Sequence, residues 1–297
     1  MVPLVNRLGC ELLAITYMHF NPVIPLKERL ETTKRTIEVF DEIFLSIGEE
    51  EKGFSISLSQ NYTNIGRINE IRTETFGKLG LLDKEYPIEV IFPFETSHIH
   101  RFFDFSSVLC HLFHLEDAAA PLQSTPLFQD ITRVDLTEKE KTVYAALVEH
   151  PTETTQQIGE RVELSRHTVS RMKKQFFEDR ILHRLTLPNL KALGVDILTF
   201  YHISFNPHNA PSITELSSLD SRFTVFFASR KFEAVFLSAY PTYQEYKEDE
   251  MNKIRYLKEN NLFSHPPFIS PYMFERMAVI KDYDFVPLIR KIFTSKF

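Results

Sequence analysis

From Ser165 to Gln175 the chain places Arg166, Arg171, Lys173 and Lys174 within eleven residues and no Asp or Glu among them, a local charge of +4 in a protein of formal net charge −6. Guanidinium and ammonium groups at this density attract phosphate oxygens, and Arg adds a planar donor pair that matches the O6 and N7 edge of guanine. Ser165, His167 and Ser170 interleave further hydrogen-bonding groups. A charge run is most often only a solvated helix face, so the element beneath it decides. Val169, Met172 and Phe176 recur at helical spacing and predict a helix with an apolar back. Arg166, His167, Ser170, Arg171, Lys173 and Lys174 are then left for its outer and flanking surfaces.

The residues upstream predict the scaffold that such a helix needs. Thr137 with Glu140 three residues on is a capping-box pattern, Val143, Ala146 and Leu147 give an apolar face, and Pro151 ends the first helix. A second helix, TTQQIGERV, buries Ile158 and Val162; Glu163-Leu164 make the turn and Ser165 caps the third helix. Ile181 to Leu187 is a short β-prone run, read as a wing strand from which His183 and Arg184 project.

LTEKEKTVYAALVEHPTETTQQIGERVELSRHTVSRMKKQFFEDRIL resembles the N-terminal domain of the Lrp/AsnC family of bacterial and archaeal regulators. The pattern that carries the resemblance is the spacing of Ile158, Val162, Leu164, Ser165, Val169 and Met172. The resemblance covers about residues 136–274 directly. It implies a winged helix-turn-helix followed by a ferredoxin-like domain for ligand sensing and oligomerisation, a role in transcription regulation, and double-stranded DNA as partner. On that geometry Arg166 and His167 are expected at base edges. Thr155, Gln156, Ser170, Lys173 and Lys174 are expected at phosphates, and His183 and Arg184 at the backbone or minor groove. The chain departs from the family pattern in three ways. Arg180 stands where the family commonly has Gly before the wing, the second copy described below lacks the Gly-rich segment that binds amino-acid effectors, and the chain opens on an effector-like copy with no DNA-binding module ahead of it.

Self-comparison supplies the framework around this module. Leu8 to Pro22, LGCELLAITYMHFNP, matches Leu193 to Pro207, LGVDILTFYHISFNP, at an offset of 185, with six of fifteen positions identical. Further on the offset is 180: Pro87, Phe94, Glu95, Asp104, Phe105 and Phe113 match Pro267, Phe274, Glu275, Asp284, Phe285 and Phe293. Each copy reads as a strand ending at Asn-Pro, a helix, two strands, a second helix and a last strand. The second helix of the second copy, TYQEYKEDEMNKIRYLKEN, is expected to bury a stripe of Tyr243, Tyr246, Met251, Ile254 and Leu257. The fold class is therefore α+β: two ferredoxin-like βαββαβ repeats flanking a winged helix-turn-helix. The expected domains are a first repeat over 1–116, a linker over 117–135, the helix-turn-helix over 136–190 and a second repeat over 191–297. Val2-Pro3 aligns with Leu187-Pro188, which suggests two fused regulators, the first of which lost its helix-turn-helix.

Other chemistries are weaker. His98, His100, Cys110, His111, His114 and Glu116 include good zinc or iron ligands, but their spacing matches no standard site. The second copy has Ala278, Ile280, Arg290, Lys291 and Thr294 in the corresponding places. Surface or partly buried histidines and no metal are the expectation. Phe-rich strands such as FTVFFAS could line an effector cavity, although core packing is their commoner use. No nucleophile elbow, His-Glu-x-x-His or phosphate loop is present, so no enzyme activity and no cofactor are expected. The alternative is a tetrapyrrole enzyme of the sirohaem decarboxylase type, which resembles the same family in fold; it has no use for a basic recognition helix. The 27 Phe with no Trp must fill much of the core, and 8 Gly are few for nucleotide-binding loops. Two cysteines suit a reducing cytoplasm, and no apolar run is long enough to span a membrane. One DNA module reads a half-site, so at least a homodimer is expected, with a small-molecule effector as a further candidate partner.

Overall fold

The computed structural model describes residues 1–115 and 127–294; Glu116 and the expected linker up to residue 126 lie outside the described residues. Two compact units emerge, and neither is one continuous stretch of chain. The first gathers Met1–Phe94, Asp130–Leu185 and Ala278–Phe297, and the second Glu95–Gln129 and Thr186–Met277.

In the first unit, β1 (Val2–Pro3) leads through a 3-10 turn into β2 (Leu12–His19), α1 (Leu26–Glu38), β3 (Ile43–Gly48), β4 (Lys52–Ser59), α2 (Tyr62–Lys78) and β5 (Ile88–Pro93). The strands pair antiparallel in the order β5-β2-β4-β3, which is the ferredoxin-like arrangement. Leu12, Ala14 and Met18 from β2 pack with Ile37 from α1 and Ile65, Ile68 and Phe76 from α2 in one core. Asn61 caps α2 by accepting from the Asn64 amide. Gly53 is required by close approach, because a Cβ there would lie 2.9 Å from both the Ile47 carbonyl oxygen and the Phe20 ring.

The second unit repeats the plan with β8 (Ile197–Ser204), α7 (Ile213–Leu219), β9 (Thr224–Arg230), β10 (Glu233–Tyr240), α8 (Tyr243–Glu259) and β11 (Phe268–Met273), paired in the order β11-β8-β10-β9. Tyr201, Ile203 and Phe205 of β8 pack with Phe227, Phe236, Leu216 and Leu257. The stripe expected on α8 is corrected here. Tyr243 is 65% and Met251 51% exposed, whereas Tyr246, Lys253 and Leu257 are buried. A buried lysine is tolerable only with partners, and Lys253 has them: its ammonium donates to the Asp249 carboxylate and to Ser221 Oγ (3.0 Å). Burial lowers its pKa, opposed by Asp249. Tyr240 donates to the same carboxylate at 2.6 Å and contacts the Tyr201 hydroxyl at 2.8 Å. Arg72 occupies the matching place on α2, buried, and donates to Ser55 Oγ (2.7 Å) and Asn69 Oδ1. Both repeats thus seat a cation between their second helix and their sheet.

Each sheet has a fifth strand that comes from the other copy's sequence. β6 (Ser97–Phe102), followed by α3 (Ser106–Leu112), pairs with β9 in the second unit. β12 (Ala278–Lys281), followed by α9 (Val286–Thr294), pairs with β3 in the first. The two segments stand 180 residues apart and are held alike. Arg101 on β6 makes two 3.0 Å bonds to the Asp220 carboxylate, and Lys281 on β12 donates to the Phe40 carbonyl at 3.0 Å. The Asp104 side chain accepts from the Ser106 amide (3.0 Å) and the Asp284 side chain from the Val286 amide (3.1 Å). The exchange was not foreseen from the sequence.

Arg101 and Asp220 are 6% and 3% exposed at their side chains. Removing one member of such a pair strands the other charge. Arg101→Met is expected to cost about 3 kcal/mol of unfolding free energy, and the double variant with Asp220→Leu to recover most of it. Urea denaturation of the three chains measures both.

Candidate nucleic-acid interface

Three helices of the first unit carry the basic stripe: α4 (Glu138–Glu149), α5 (Thr155–Arg161) and α6 (Arg166–Glu178). Thr137 and Glu140 form the expected capping box, and Thr154 with Gln157 forms a second one at the start of α5. Ser165 Oγ accepts from the Thr168 amide at 3.2 Å and starts α6. The turn between α5 and α6 leaves no room for a side chain at Gly159, whose Cβ would lie 2.6 Å from the Leu164 carbonyl oxygen. Glu163 takes a left-handed conformation there, with φ 55°.

Beneath α6, Val169, Met172 and Phe176 are buried, together with Ile158 from α5 and Val143, Tyr144, Leu147 and Val148 from α4. Ala146 and Val162, expected in that seam, are only half-buried; Tyr144 takes the central place. Its ring meets Phe176 edge-on at 5.3 Å and its hydroxyl donates to the Ile181 carbonyl at 2.7 Å. The α6 terminus resolves the Arg180 departure. Arg180 adopts φ 51°, its amide donates to Phe177 O at 3.2 Å, and the Ile181 amide donates to Phe176 O at 3.0 Å. Arg180 therefore occupies the left-handed position that glycine favours, at a conformational cost.

With the seam facing inward, Ser165, Arg166, His167, Ser170, Arg171 and Lys174 are exposed, and Lys173 is half-buried at the flank. Lys174 pairs with Glu178 at 3.5 Å. Arg184 is exposed, and its charge adds to the burial that lowers the Lys173 pKa, so the two cations are neighbours. On α5, Thr155 is half-buried and Gln156 is exposed, with its amide 3.2 Å from Glu160. The wing differs from expectation. Only Leu182–His183 form a strand, β7, and its partner is β1: Val2 pairs with His183 and Pro3 with Leu182. A strand at the far end of the sequence was not recognisable as its partner, because two residues carry no periodicity.

Charge along α6 runs against its dipole. Arg166 and His167 sit in the first turn, which contains no acid, and Glu178 with Asp179 sits at the other end, with no base in the last turn. Helix stability favours the opposite order by several tenths of a kcal/mol per charge. Cations gathered at the N-terminal end and outer face suit an anionic polymer better than they suit the isolated helix.

In the histidine-rich segment the His98 and His100 rings lie side by side, 5.9 Å between centroids. His100 Nε2 lies 2.8 Å from Ser229 Oγ with its ring over Phe227 (4.3 Å between centroids), and His111 Nε2 lies 2.6 Å from the Glu245 carboxylate. Among the described residues no group of three or more His, Cys, Asp or Glu is placed to hold a metal ion. Of the FTVFFAS strand, Phe226 and Phe227 are core residues. Phe223 of the same stretch lines a cleft of about 420 Å³ in the second unit, together with His111, Ser221, Arg222, Glu245, Glu248, Asp249 and Asn252. No helix among the described residues is long and apolar enough to cross a membrane.

No protein-family model matches the chain, and no curated protein matches it. Solved structures do resemble it, over about half its length. A transcriptional regulator of Neisseria meningitidis in complex with L-Met is 13% identical over 50% of this chain and 96% of its own, with a TM-score of 0.39. An AsnC family transcriptional regulator from Agrobacterium tumefaciens is 15% identical over 46% of this chain and 90% of its own, TM-score 0.37. AsnC of E. coli is 12% identical over 47% and 93%, TM-score 0.38.

Two outcomes follow from the local geometry. Arg180→Gly is expected to raise unfolding free energy by about 1 kcal/mol, because glycine adopts the left-handed conformation without strain; thermal melting reads the shift. His100 is held to a pKa of about 4 by burial first and the His98 charge second, below its ordinary 6.5. A histidine kept neutral in the fold supports it fully above pH 6.5, and that support drains away as pH falls toward 4. His100→Gln should therefore lose less melting temperature than the parent over that interval.

Proposed function

We propose that this protein is a sequence-specific regulator of transcription that inserts α6 into the major groove of double-stranded DNA. The observation that carries the proposal is the exposure of Arg166, His167, Ser170, Arg171 and Lys174 on one helix whose opposite side is locked by Val169, Met172 and Phe176. Arg166 and His167, nearest the helix start, read base edges. Ser170, Lys173 and Lys174 on α6, with Thr155 and Gln156 on α5, bind phosphates and set the register; Ser165 fixes where α6 begins, and Arg171 extends its basic surface. His183 and Arg184 reach the backbone or minor groove beside them.

The modules follow one another as a first repeat (1–116), a linker (117–135), the helix-turn-helix (136–190) and a second repeat (191–297), and the two repeats descend from one ancestral unit by duplication. Matched placements of Arg101 with Lys281 and of Asp104 with Asp284 support that descent. One α6 per chain reads half a site, so the regulator acts as a homodimer or higher oligomer on a site with two-fold symmetry. The repeats serve this assembly and the sensing of a small molecule, which acts only by binding two arrangements of the recognition helices unequally.

Selection of bound duplexes from a random pool identifies the site. On the selected DNA, log K against log salt should be linear, and Lys173→Gln should reduce the magnitude of its slope by about one unit through the loss of one released counterion. An unchanged slope removes Lys173 from the phosphate contacts. Failure of the parent chain to enrich any duplex overturns the reading as a whole.

A further inference from the structure

The end of α6 is held by a residue that the repeat pattern does not require. Arg7 lies in the 3-10 turn Val5–Leu8, which Gly9 closes at φ 100°; the matching turn Lys191–Leu193 is closed by Gly194 at φ 82°. Ala192 stands where Arg7 would fall in the second repeat, so no guanidinium is needed to build the turn. Arg7 nevertheless engages three separate acceptors. Nη1 donates to the Asp179 carbonyl at 2.6 Å and lies 2.8 Å from the Asp130 carboxylate, and Nε donates to the Thr132 carbonyl at 2.8 Å. Its side chain is 14% exposed.

The neighbouring groups tighten the same junction. Asn6 Nδ2 donates to the Asp130 carbonyl at 2.6 Å, the Val134 amide to Arg7 O at 2.8 Å, and the Leu4 amide to Ile181 O at 2.9 Å. Asp179 is the C-cap of α6, where carbonyls lack partners within the helix and the dipole is negative. No base from α6 itself occupies the last turn. The cation therefore comes from the segment that runs on through Gly9 into β2.

Resting on the DNA-binding reading, we propose that Arg7 is a positioning residue. It fixes the C-terminal end of α6 and the β1/β7 ribbon to the sheet of the first repeat, and so sets how the recognition surface is presented without itself touching DNA. Three charge-assisted bonds from one planar fork define an orientation that a single ammonium cannot.

The test compares the full chain with Arg7→Ala and Arg7→Lys on the duplex selected above. Arg7→Ala should bind about tenfold more weakly, a loss in the range of one charge-assisted bond, with the salt slope of the parent unchanged. Arg7→Lys should stay nearer to Arg7→Ala than to the parent, and it keeps the comparison available should the alanine variant fail to fold. Amide hydrogen exchange at Leu4 and Ile181 should quicken about tenfold in both variants, in the absence of DNA. A slope reduced by about one unit would make Arg7 a phosphate ligand and overturn the positioning role, as would unchanged affinity. Absence of duplex binding by the parent chain would sink the regulator reading alone, because exchange still reports on the clasp; unchanged exchange would sink the clasp whatever the DNA result.

Discussion

A ferredoxin-like sheet of four strands ends on an open edge, and here the second strand of each repeat, β3 or β9, would offer unpaired backbone groups to any passing strand. The chain closes both edges with strands taken from the opposite copy's sequence, β12 on β3 and β6 on β9. Much else depends on this closure. It makes each compact unit discontinuous in sequence, and it requires the β6 and β12 segments to carry their own fastenings.

The two fastenings show how one geometric demand is met by different chemistry. Where β6 meets the α7–β9 turn, the Arg101 Nε–H is shared between both oxygens of the Asp220 carboxylate. Where β12 meets the end of α1, the matching side chain is Lys281, which donates to the Phe40 backbone carbonyl. Burial penalises both cations, so each must be paired.

The same closure gives the helix-turn-helix a platform. α9, which follows β12, packs beside α4: Phe293 meets the Tyr144 ring edge-on at 5.8 Å and Arg290 reaches the Glu149 carboxylate at 2.7 Å. Tyr144 in turn touches Phe176 of α6. α6 is thereby supported through one aromatic stack by a helix more than a hundred residues downstream, and at its C-terminal end by Arg7. What was legible in the sequence was local. Helical spacing placed Val169, Met172 and Phe176, and the caps at Thr137 and Ser165 are short-range hydrogen bonds that a few residues determine. Pairings between segments far apart, such as β1 with β7, leave no periodic trace in either one. Polarity misled on α8 for a related reason: Lys253 is inside because Asp249 one turn earlier neutralises it, while Tyr243 and Met251 stay outside.

Stability and charge disagree on α6, and the disagreement has a direction. A helix selected only to pack would place acids in its first turn and bases in its last, as α4 does at its start with Glu138 and Glu140. α6 reverses this with Arg166 and His167 at the start and Glu178 at the end, yet its apolar back is fully buried. Packing supplies far more free energy than the reversed charges lose, since each buried apolar side chain contributes roughly 1.5–3 kcal/mol. The scaffold can therefore bear an unfavourable charge order, and Arg7 relieves part of it by bringing a cation to the negative end. At the other end, Arg166 and His167 stand exposed in a first turn that holds no acid.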